Sequence, residues 1–75
     1  MSAQTLVGKA YGRSFALRTV VNWVELNWKY HLGYAPKVVA LARNWFAFHF
    51  QQDSHAKWSL SGIWSWDHNL VILKP

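Results

Sequence analysis

The sequence predicts an α+β domain in which a four-stranded antiparallel sheet carries two helices on one face. Residues 43–50 form the clearest run of strand-forming residues, with aromatic side chains at alternating positions. Between residues 17 and 28, apolar residues recur at helical spacing instead. Shorter apolar runs bounded by turn residues complete the order β-α-β-β-α-β, which is the split β-α-β arrangement.

The first predicted strand runs from Gln4 to Ala10 and ends in a turn at Tyr11-Gly12. Gly8 lies inside this strand, where a glycine weakens the pairing unless it has a packing role. A close approach by another part of the chain explains a glycine at this position, and so does a bulge in the strand.

The first helix is predicted to follow Ser14, whose hydroxyl is suited to cap the first helical turn. Gly33 is expected to end the helix, because Ala35-Pro36 cannot easily continue it. Helical spacing places five apolar side chains on one stripe, namely Leu17, Val20, Val21, Val24 and Trp28. We expect this stripe to pack against the sheet.

A hairpin is predicted next, formed by a Val-rich strand from Lys37 to Leu41, a short turn and the aromatic run. Asn44 suits the turn because asparagine tolerates a positive φ. Alternation along the aromatic strand predicts a core wall of Phe46, Phe48 and Phe50. The opposite face of that strand would carry Trp45, Ala47 and His49.

The last part of the chain predicts a second helix and a final hairpin-like unit. Asp53 or Ser54 would cap the helix, which ends near Ser61 with Gly62 as its stop. Ala56 and Leu60 would face inward, with Trp58 beside them or at the edge. The hairpin-like unit consists of residues 63–66, a turn at residues 67–69 and residues 70–74. Its last strand has four consecutive apolar residues, which indicates an interior position in the sheet.

Length and composition indicate one small domain spanning residues 1–75, with an interior rich in aromatic side chains. The chain has six Trp, four Phe and three Tyr, too many for all of them to be buried in so small a body. No cysteine is present, which excludes disulfides and thiolate metal sites within this sequence.

The charge balance indicates an affinity for polyanions. Eight Lys and Arg against three Asp and Glu give a formal net charge of +5, which would attract nucleic acids or anionic membranes. The sequence has neither an apolar run of the ~20 residues that cross a bilayer nor a signal peptide. We expect a soluble intracellular protein, in the nucleus or the cytoplasm.

A set of ordered residues carries a family resemblance: Leu6-Val7-Gly8-Lys9, Trp28, the run from Arg43 to Phe50, Leu60, Gly62, Trp64 and the run from Leu70 to Pro75. Together they resemble a plant domain of unknown function at the N-terminal end of retrotransposon-encoded, Gag-like proteins, often ahead of a CCHC zinc knuckle. The resemblance implies a nucleic-acid-associated role in LINE-type elements or in genes descended from them. It also fits a ferredoxin-like topology similar to that of the RNA-recognition motif.

Two departures from that family indicate an excised or truncated domain. The chain stops at Pro75, where the family usually continues to another Trp, and it contains no zinc knuckle.

The RNA-recognition motif stacks bases on aromatic residues of its first and third strands. Trp45 occupies one third-strand stacking position, but Ala47 occupies the other, and His49 lies two residues further along the same face. The first strand offers Val7 and Lys9 in place of a second platform. The stacking surface is therefore smaller than that of the RNA-recognition motif. Each stacking contact that is lost weakens binding by roughly 1–3 kcal/mol.

The candidate nucleic-acid contacts are Trp45, His49, Lys9, Arg43 and Lys74. Trp45 and His49 would meet bases, and the three cations would meet phosphates. If all three cations bind phosphates of a single strand, log affinity should fall against log salt with a slope of about −2. The alternatives stay open: a role in structure or self-association for Trp45, and solvated strand ends for the three cations.

Neither a metal site nor a catalytic centre is expected. The four histidines lack paired metal-ligand spacing. Glu25, Asp53 and Asp67 have the sequence contexts of a helix-surface charge, a cap and a turn residue. The chain has no nucleophile elbow, phosphate-binding glycine loop or zinc-hydrolase motif. We expect a non-enzymatic protein with no cofactor and no small-molecule substrate.

Two functions from different classes fit these observations. The first is a module that binds RNA or single-stranded DNA weakly and with little sequence specificity. The second is a protein–protein interaction or self-assembly module, and hence a homo-oligomer, because residues 38–41 would form an apolar sheet edge that can pair with another chain. A membrane partner is not expected, since the scattered Lys and Arg form no cationic helical face.

Overall fold

The computed structural model describes residues 4–75, which form five strands and three helices. In chain order the elements are β1 (Thr5–Ala10), α1 (Leu17–Asn27), α2 (Lys29–Leu32), β2 (Lys37–Ala40), β3 (Trp45–His49), α3 (Asp53–Ser61), β4 (Trp64–Trp66) and β5 (Asn69–Lys74). The strands form one sheet in the order β2-β3-β1-β5-β4, and each neighbouring pair is antiparallel. The prediction of an α+β domain with an antiparallel sheet is confirmed.

The sheet has one strand more than the four that the sequence predicts. The additional strand is β4, which pairs with β5 at the outer edge and places Trp64 opposite Val71. Its two-residue turn has positive φ at Asp67 (52°) and His68 (66°), the backbone geometry that matches the twist of a tight hairpin. The final hairpin therefore adds both of its strands to the sheet, and β5 lies in the interior as predicted.

The first helical segment begins later than predicted and is interrupted. Ser14 does not cap it, because α1 begins at Leu17 after an extended Ala16. Trp28 then separates α1 from the short α2, which ends at Gly33 in the left-handed conformation with φ 84°. Gly33 is confirmed as the helix stop, in the conformation that glycine adopts at low cost.

The second predicted helix, α3, also begins without a side-chain cap. Gln52 occupies the N-cap position and Asp53 is the first helical residue, so neither Asp53 nor Ser54 has the predicted capping role. The Asp53 carboxylate lies in the first turn instead, where the helix dipole favours a negative charge. The helix ends at Ser61, before Gly62, as predicted.

The aromatic strand forms the predicted core wall. Phe46, Phe48 and Phe50 are buried. The ring centroids of Phe48 and Phe50 lie 5.3 and 5.7 Å from that of Trp28, the residue that separates α1 from α2. Val20 and Val24 of α1 join the same cluster. Leu17 does not, because it lies at the exposed first residue of α1.

The inner face of α3 is built from small residues. Ala56 is buried as predicted, but Leu60 is exposed and Ser59 is buried in its place. The Trp64 indole accounts for the difference, since its Nε1–H donates to the Ser59 carbonyl at 2.7 Å and the ring covers this end of the helix. Trp58 is half-buried against the core, within the range of positions that the sequence allows.

Most of the aromatic surplus is absorbed inside the chain. The indoles form a continuous cluster whose neighbouring ring centroids lie 5.3 to 5.9 Å apart, made of Trp23, Trp28, Trp58, Trp64 and Trp66. Tyr11 and Tyr30 are exposed. The sixth tryptophan, Trp45, lies on the other side of the sheet.

Gly8 is required by a close approach of side chains on the core face. A Cβ at this position would lie 2.7 Å from Leu73 Cδ2 and 3.0 Å from Phe48 Cε2. The pairing of β1 with β3 continues through Gly8 without a break in register, so the strand has no bulge there.

None of the helices in residues 4–75 is long and apolar enough to cross a bilayer.

Candidate nucleic-acid interface

The sheet has one face that the helices do not cover, which we call the open face. Strand register and alternation assign to it Thr5, Val7 and Lys9 of β1, Trp45, Ala47 and His49 of β3, Lys37 and Val39 of β2, and Leu70, Ile72 and Lys74 of β5. Four of the five predicted nucleic-acid contacts therefore share one surface.

Two lysines converge on Trp45 at one end of the open face. Lys9 lies directly opposite Trp45 in the β1–β3 pair, and its Nζ is 5.7 Å from the centroid of the indole. Lys74 approaches from β5, with its Nζ 4.9 Å from the same ring. Both distances are within the range of a cation–π interaction, so the structure joins three residues that are 29 or more positions apart in the chain.

Tyr11 is a fourth member of this group, and the sequence prediction assigned it to a turn. Its ring centroid lies 5.3 Å from Lys9 Nζ, and the side chain is 48% exposed. The Tyr11 N–H donates to the Leu70 carbonyl at 3.0 Å, so the residue continues the β1–β5 pairing beyond the end of β1. Lys9 and Tyr11 are two positions apart, and in an extended strand such residues lie on the same face. This spacing is the sequence signal that places Tyr11 beside Lys9. We call Lys9, Tyr11, Trp45 and Lys74 the lysine–aromatic cluster.

His49 occupies the opposite end of the open face. It lies about 13 Å from Trp45 along the extended strand, and its Nδ1 is 3.1 Å from Thr5 Oγ1. Lys37 is its register partner on β2. Between the two ends, the buried Ala47 leaves no ring on which a base could stack.

Arg43 lies in the turn between β2 and β3, outside the contacts that define the cluster. It has φ 58° and is followed by Asn44 with φ 67°, and the Trp45 N–H donates to the Ala42 carbonyl at 3.1 Å. These are the features of a two-residue hairpin turn with positive φ at both central positions. The predicted positive φ of Asn44 is confirmed.

Asn44 connects this turn to the loop that precedes α1. Its Nδ2 donates to the carbonyls of Ala10 (3.1 Å) and Arg13 (2.6 Å), and its Oδ1 accepts from the Phe15 N–H (2.9 Å). The side chain thus fixes the segment that carries Tyr11 against the hairpin that carries Trp45.

The open face is positively charged because its cations have no acidic neighbours. The three acidic residues lie elsewhere: Glu25 on α1, Asp53 at the start of α3, and Asp67 in the β4–β5 turn. Among residues 4–75 the only ion pair joins Arg13 to Asp67, at 2.9 Å. The charges of Lys9, Lys37 and Lys74 are therefore available to an anionic ligand.

The open face combines aromatic rings with ammonium groups. Aromatic rings that reach solvent can stack on bases, and ammonium groups beside them can bind phosphates. In the part of the chain that the structure describes, no three His, Cys, Asp or Glu side chains are grouped to hold a metal ion.

An apolar region adjoins the lysine–aromatic cluster on the same sheet. Leu70 and Ile72 of β5 are 50% and 43% exposed. Together with Ile63 they also line a cavity of about 260 Å³ beside the β4–β5 pair. The opposite edge strand, β2, exposes Val39 and continues to the exposed Leu41.

Comparison with known proteins places the chain in a family. A profile described as a domain of unknown function (DUF4283) matches residues 3–75. No curated protein and no solved structure gives a significant match. Because the match spans nearly the whole sequence, the chain belongs to the DUF4283 family of domains of unknown function.

Proposed function

We propose that this protein is a non-catalytic module that binds single-stranded RNA or DNA weakly and with little sequence specificity. Binding uses the open face of the sheet, with Trp45 as the stacking residue and Lys9 and Lys74 as phosphate contacts. His49 and Arg43 make peripheral contacts at the two ends of β3. The module acts within a retrotransposon-derived, Gag-like protein, in line with the family resemblance in the sequence.

The observation that carries this proposal is the convergence of two ammonium groups on one partly exposed indole. Lys9 and Lys74 lie 5.7 and 4.9 Å from the Trp45 ring, on a face that lacks Asp and Glu side chains within the described residues. A base stacked on this ring brings its phosphates next to the two charges. Stacking is tolerant of base identity because every base has a π face, which accounts for the low specificity.

The proposal includes a fold interpretation. Apart from β4, the strand order β2-β3-β1-β5 is that of a ferredoxin-like or RNA-recognition-motif-like sheet, with β4 as an addition at the edge. In that motif, single-stranded RNA lies across the open sheet face. The replacement of one stacking position by Ala47 supports weak binding.

The test is a fluorescence-anisotropy titration of labelled single-stranded RNA and DNA against the wild type and Trp45→Ala. We expect the variant to bind about 5- to 150-fold more weakly, the loss of one stacked base. Tyr30→Ala is the matched control, because Tyr30 is an aromatic residue 92% exposed on α2, away from the open face. Equal affinity of the wild type and Trp45→Ala would refute the role of the sheet face.

A second candidate function is self-assembly through the edge strand β2. The specific observation is that Val39 and Leu41 are exposed at the open edge of the sheet, where unpaired backbone groups can add a strand from another copy. The packing of five of the six tryptophans inside one chain removes most of the aromatic surface that assembly could otherwise use.

Sedimentation across a concentration series separates the two candidates. A monomer that binds RNA supports the nucleic-acid module. A dimer that dissociates on Val39→Lys and is indifferent to RNA supports assembly, because a lysine at the centre of β2 places two like charges across a paired edge.

A further inference from the structure

We infer that Tyr11 and Trp45 hold two consecutive bases of a single strand, and that Lys9 binds the phosphate between them. This inference rests on the proposed nucleic-acid function and adds a specific ligand, a dinucleotide step, and a residue, Tyr11, to it.

The geometry of the lysine–aromatic cluster is the first argument. The Lys9 Nζ lies 5.3 Å from the centroid of the Tyr11 ring and 5.7 Å from that of the Trp45 ring, so one ammonium group is next to both rings. In an extended single strand, the phosphate that links two nucleotides lies between their bases in the same way. Lys74, whose Nζ lies 4.9 Å from the centroid of the Trp45 ring, is placed to bind a second phosphate.

The anchoring of the backbone that carries the two rings is the second argument. The Tyr11 backbone N–H donates to the Leu70 carbonyl at 3.0 Å, and the preceding Ala10 N–H donates to the Asn44 carbonyl at 3.3 Å. The Asn44 side chain bonds the Ala10 carbonyl as well, at 3.1 Å. A platform held by such bonds binds with a smaller loss of conformational entropy than side chains on a free loop.

The exposure of Tyr11 is the third argument. The side chain is 48% exposed, whereas four aromatic residues of the core are buried, namely Phe15, Phe46, Phe48 and Trp66. Its hydroxyl has no hydrogen bond within the described residues. An exposed ring beside unpaired cations has the composition of a stacking site for a single strand, whereas the bases of a duplex are stacked on each other and cannot reach it.

The test compares Tyr11→Ala, Tyr11→Phe and Trp45→Ala in titrations with a labelled dinucleotide and with the corresponding mononucleotide. We expect Tyr11→Ala to weaken dinucleotide binding about 5- to 150-fold, to weaken it more than mononucleotide binding, and to be rescued by Tyr11→Phe. The ring, and not the hydroxyl, is then the binding group. Tyr30→Ala controls for the loss of an exposed tyrosine elsewhere.

Lys9→Gln gives an independent readout that does not depend on the aromatic variants. Loss of the Lys9 charge should reduce the slope of log affinity against log salt by about 0.7, which is the contribution of one phosphate on a single strand. Lys57→Gln removes the same charge from the exposed side of α3 and should leave the slope unchanged.

The outcomes separate this inference from the function on which it rests. If Trp45→Ala weakens binding while Tyr11→Ala does not, the two-ring site is wrong and the sheet-face function stands. If neither variant weakens binding, both are wrong. A dinucleotide that binds no more tightly than a mononucleotide to the wild type also overturns the two-ring site.

Discussion

Replacing Asn44 with glycine tests how the β2–β3 hairpin is held to the rest of the fold. Glycine accepts the positive φ of 67° at this position, so the variant removes the side-chain bonds and leaves the turn unstrained. Three hydrogen bonds are lost, to the Ala10 and Arg13 carbonyls and from the Phe15 N–H. At about 0.5–1.5 kcal/mol each, the expected loss of unfolding free energy is roughly 1.5–4.5 kcal/mol.

This loss is large for a chain of this size. Stabilities of 0.05–0.15 kcal/mol per residue correspond to a total of roughly 4–11 kcal/mol here. Urea unfolding monitored by tryptophan fluorescence measures the change, since the indole cluster reports on the core. Arg43→Gly is the matched control, because residue 43 shares the positive φ of 58° and lies outside the Asn44 contacts.

We expect Arg43→Gly to be neutral or to raise the unfolding free energy, since glycine removes the cost of a left-handed conformation. If Asn44→Gly costs no more than Arg43→Gly, the three side-chain bonds do not stabilise the fold, and the reasoning is refuted.

Three further predictions concern the core, the helix stop and the charged face. Gly8→Ala should destabilise the fold by about 1–3 kcal/mol, because the new methyl group overlaps Leu73. In urea unfolding, the double variant with Leu73→Ala should lose less unfolding free energy than the sum of the two single losses; losses that are strictly additive would contradict the overlap. Gly33→Ala should cost about 1–2 kcal/mol in the same assay from the positive φ alone, since a Cβ there meets no atom within 4 Å; a neutral result would contradict this. Lys74→Gln should weaken single-strand binding and reduce its salt slope by about 0.7, whereas Lys57→Gln should do neither in the same titrations; equal effects of the two variants would contradict a specific role of the open face.

The sequence predicts those features of the fold that depend on local periodicity. Alternation along residues 45–49 is enough to separate the buried Phe46 and Phe48 from Trp45 and His49 on the open face. The positive φ of Asn44 and the left-handed Gly33 follow from intrinsic backbone preferences.

Features that depend on distant partners were not predictable in the same way. Asn44 bonds residues 29 to 34 positions away, so its role in fixing the loop has no signal in the neighbouring sequence. The loss of Ser14 as a cap has the same origin, because the bond from Phe15 to Asn44 holds this segment as a loop. On the inner face of α3, Ser59 is buried and the predicted Leu60 is not, and this difference depends on where the Trp64 ring packs.

The candidate site was predicted in its residues more completely than in its geometry. Trp45, Lys9 and Lys74 do converge, since register on an antiparallel sheet follows from the strand assignment. Tyr11 was missed because Tyr11-Gly12 has the composition of a turn, although the backbone remains extended for one residue beyond β1. The sequence does not predict a fifth strand because β4, with three residues, is too short to give a strand pattern of its own.

The most direct test of the sheet-face account is an NMR titration of the protein with short single-stranded RNA. We predict that the largest shifts occur at the amides of Lys9, Tyr11 and Lys74 and at the indole Nε1–H of Trp45, with the exposed side of α1 and α3 almost unaffected. Shifts confined to the helices, or an absence of shifts at the lysine–aromatic cluster when RNA is bound, would contradict the assignment of the open face as the binding surface.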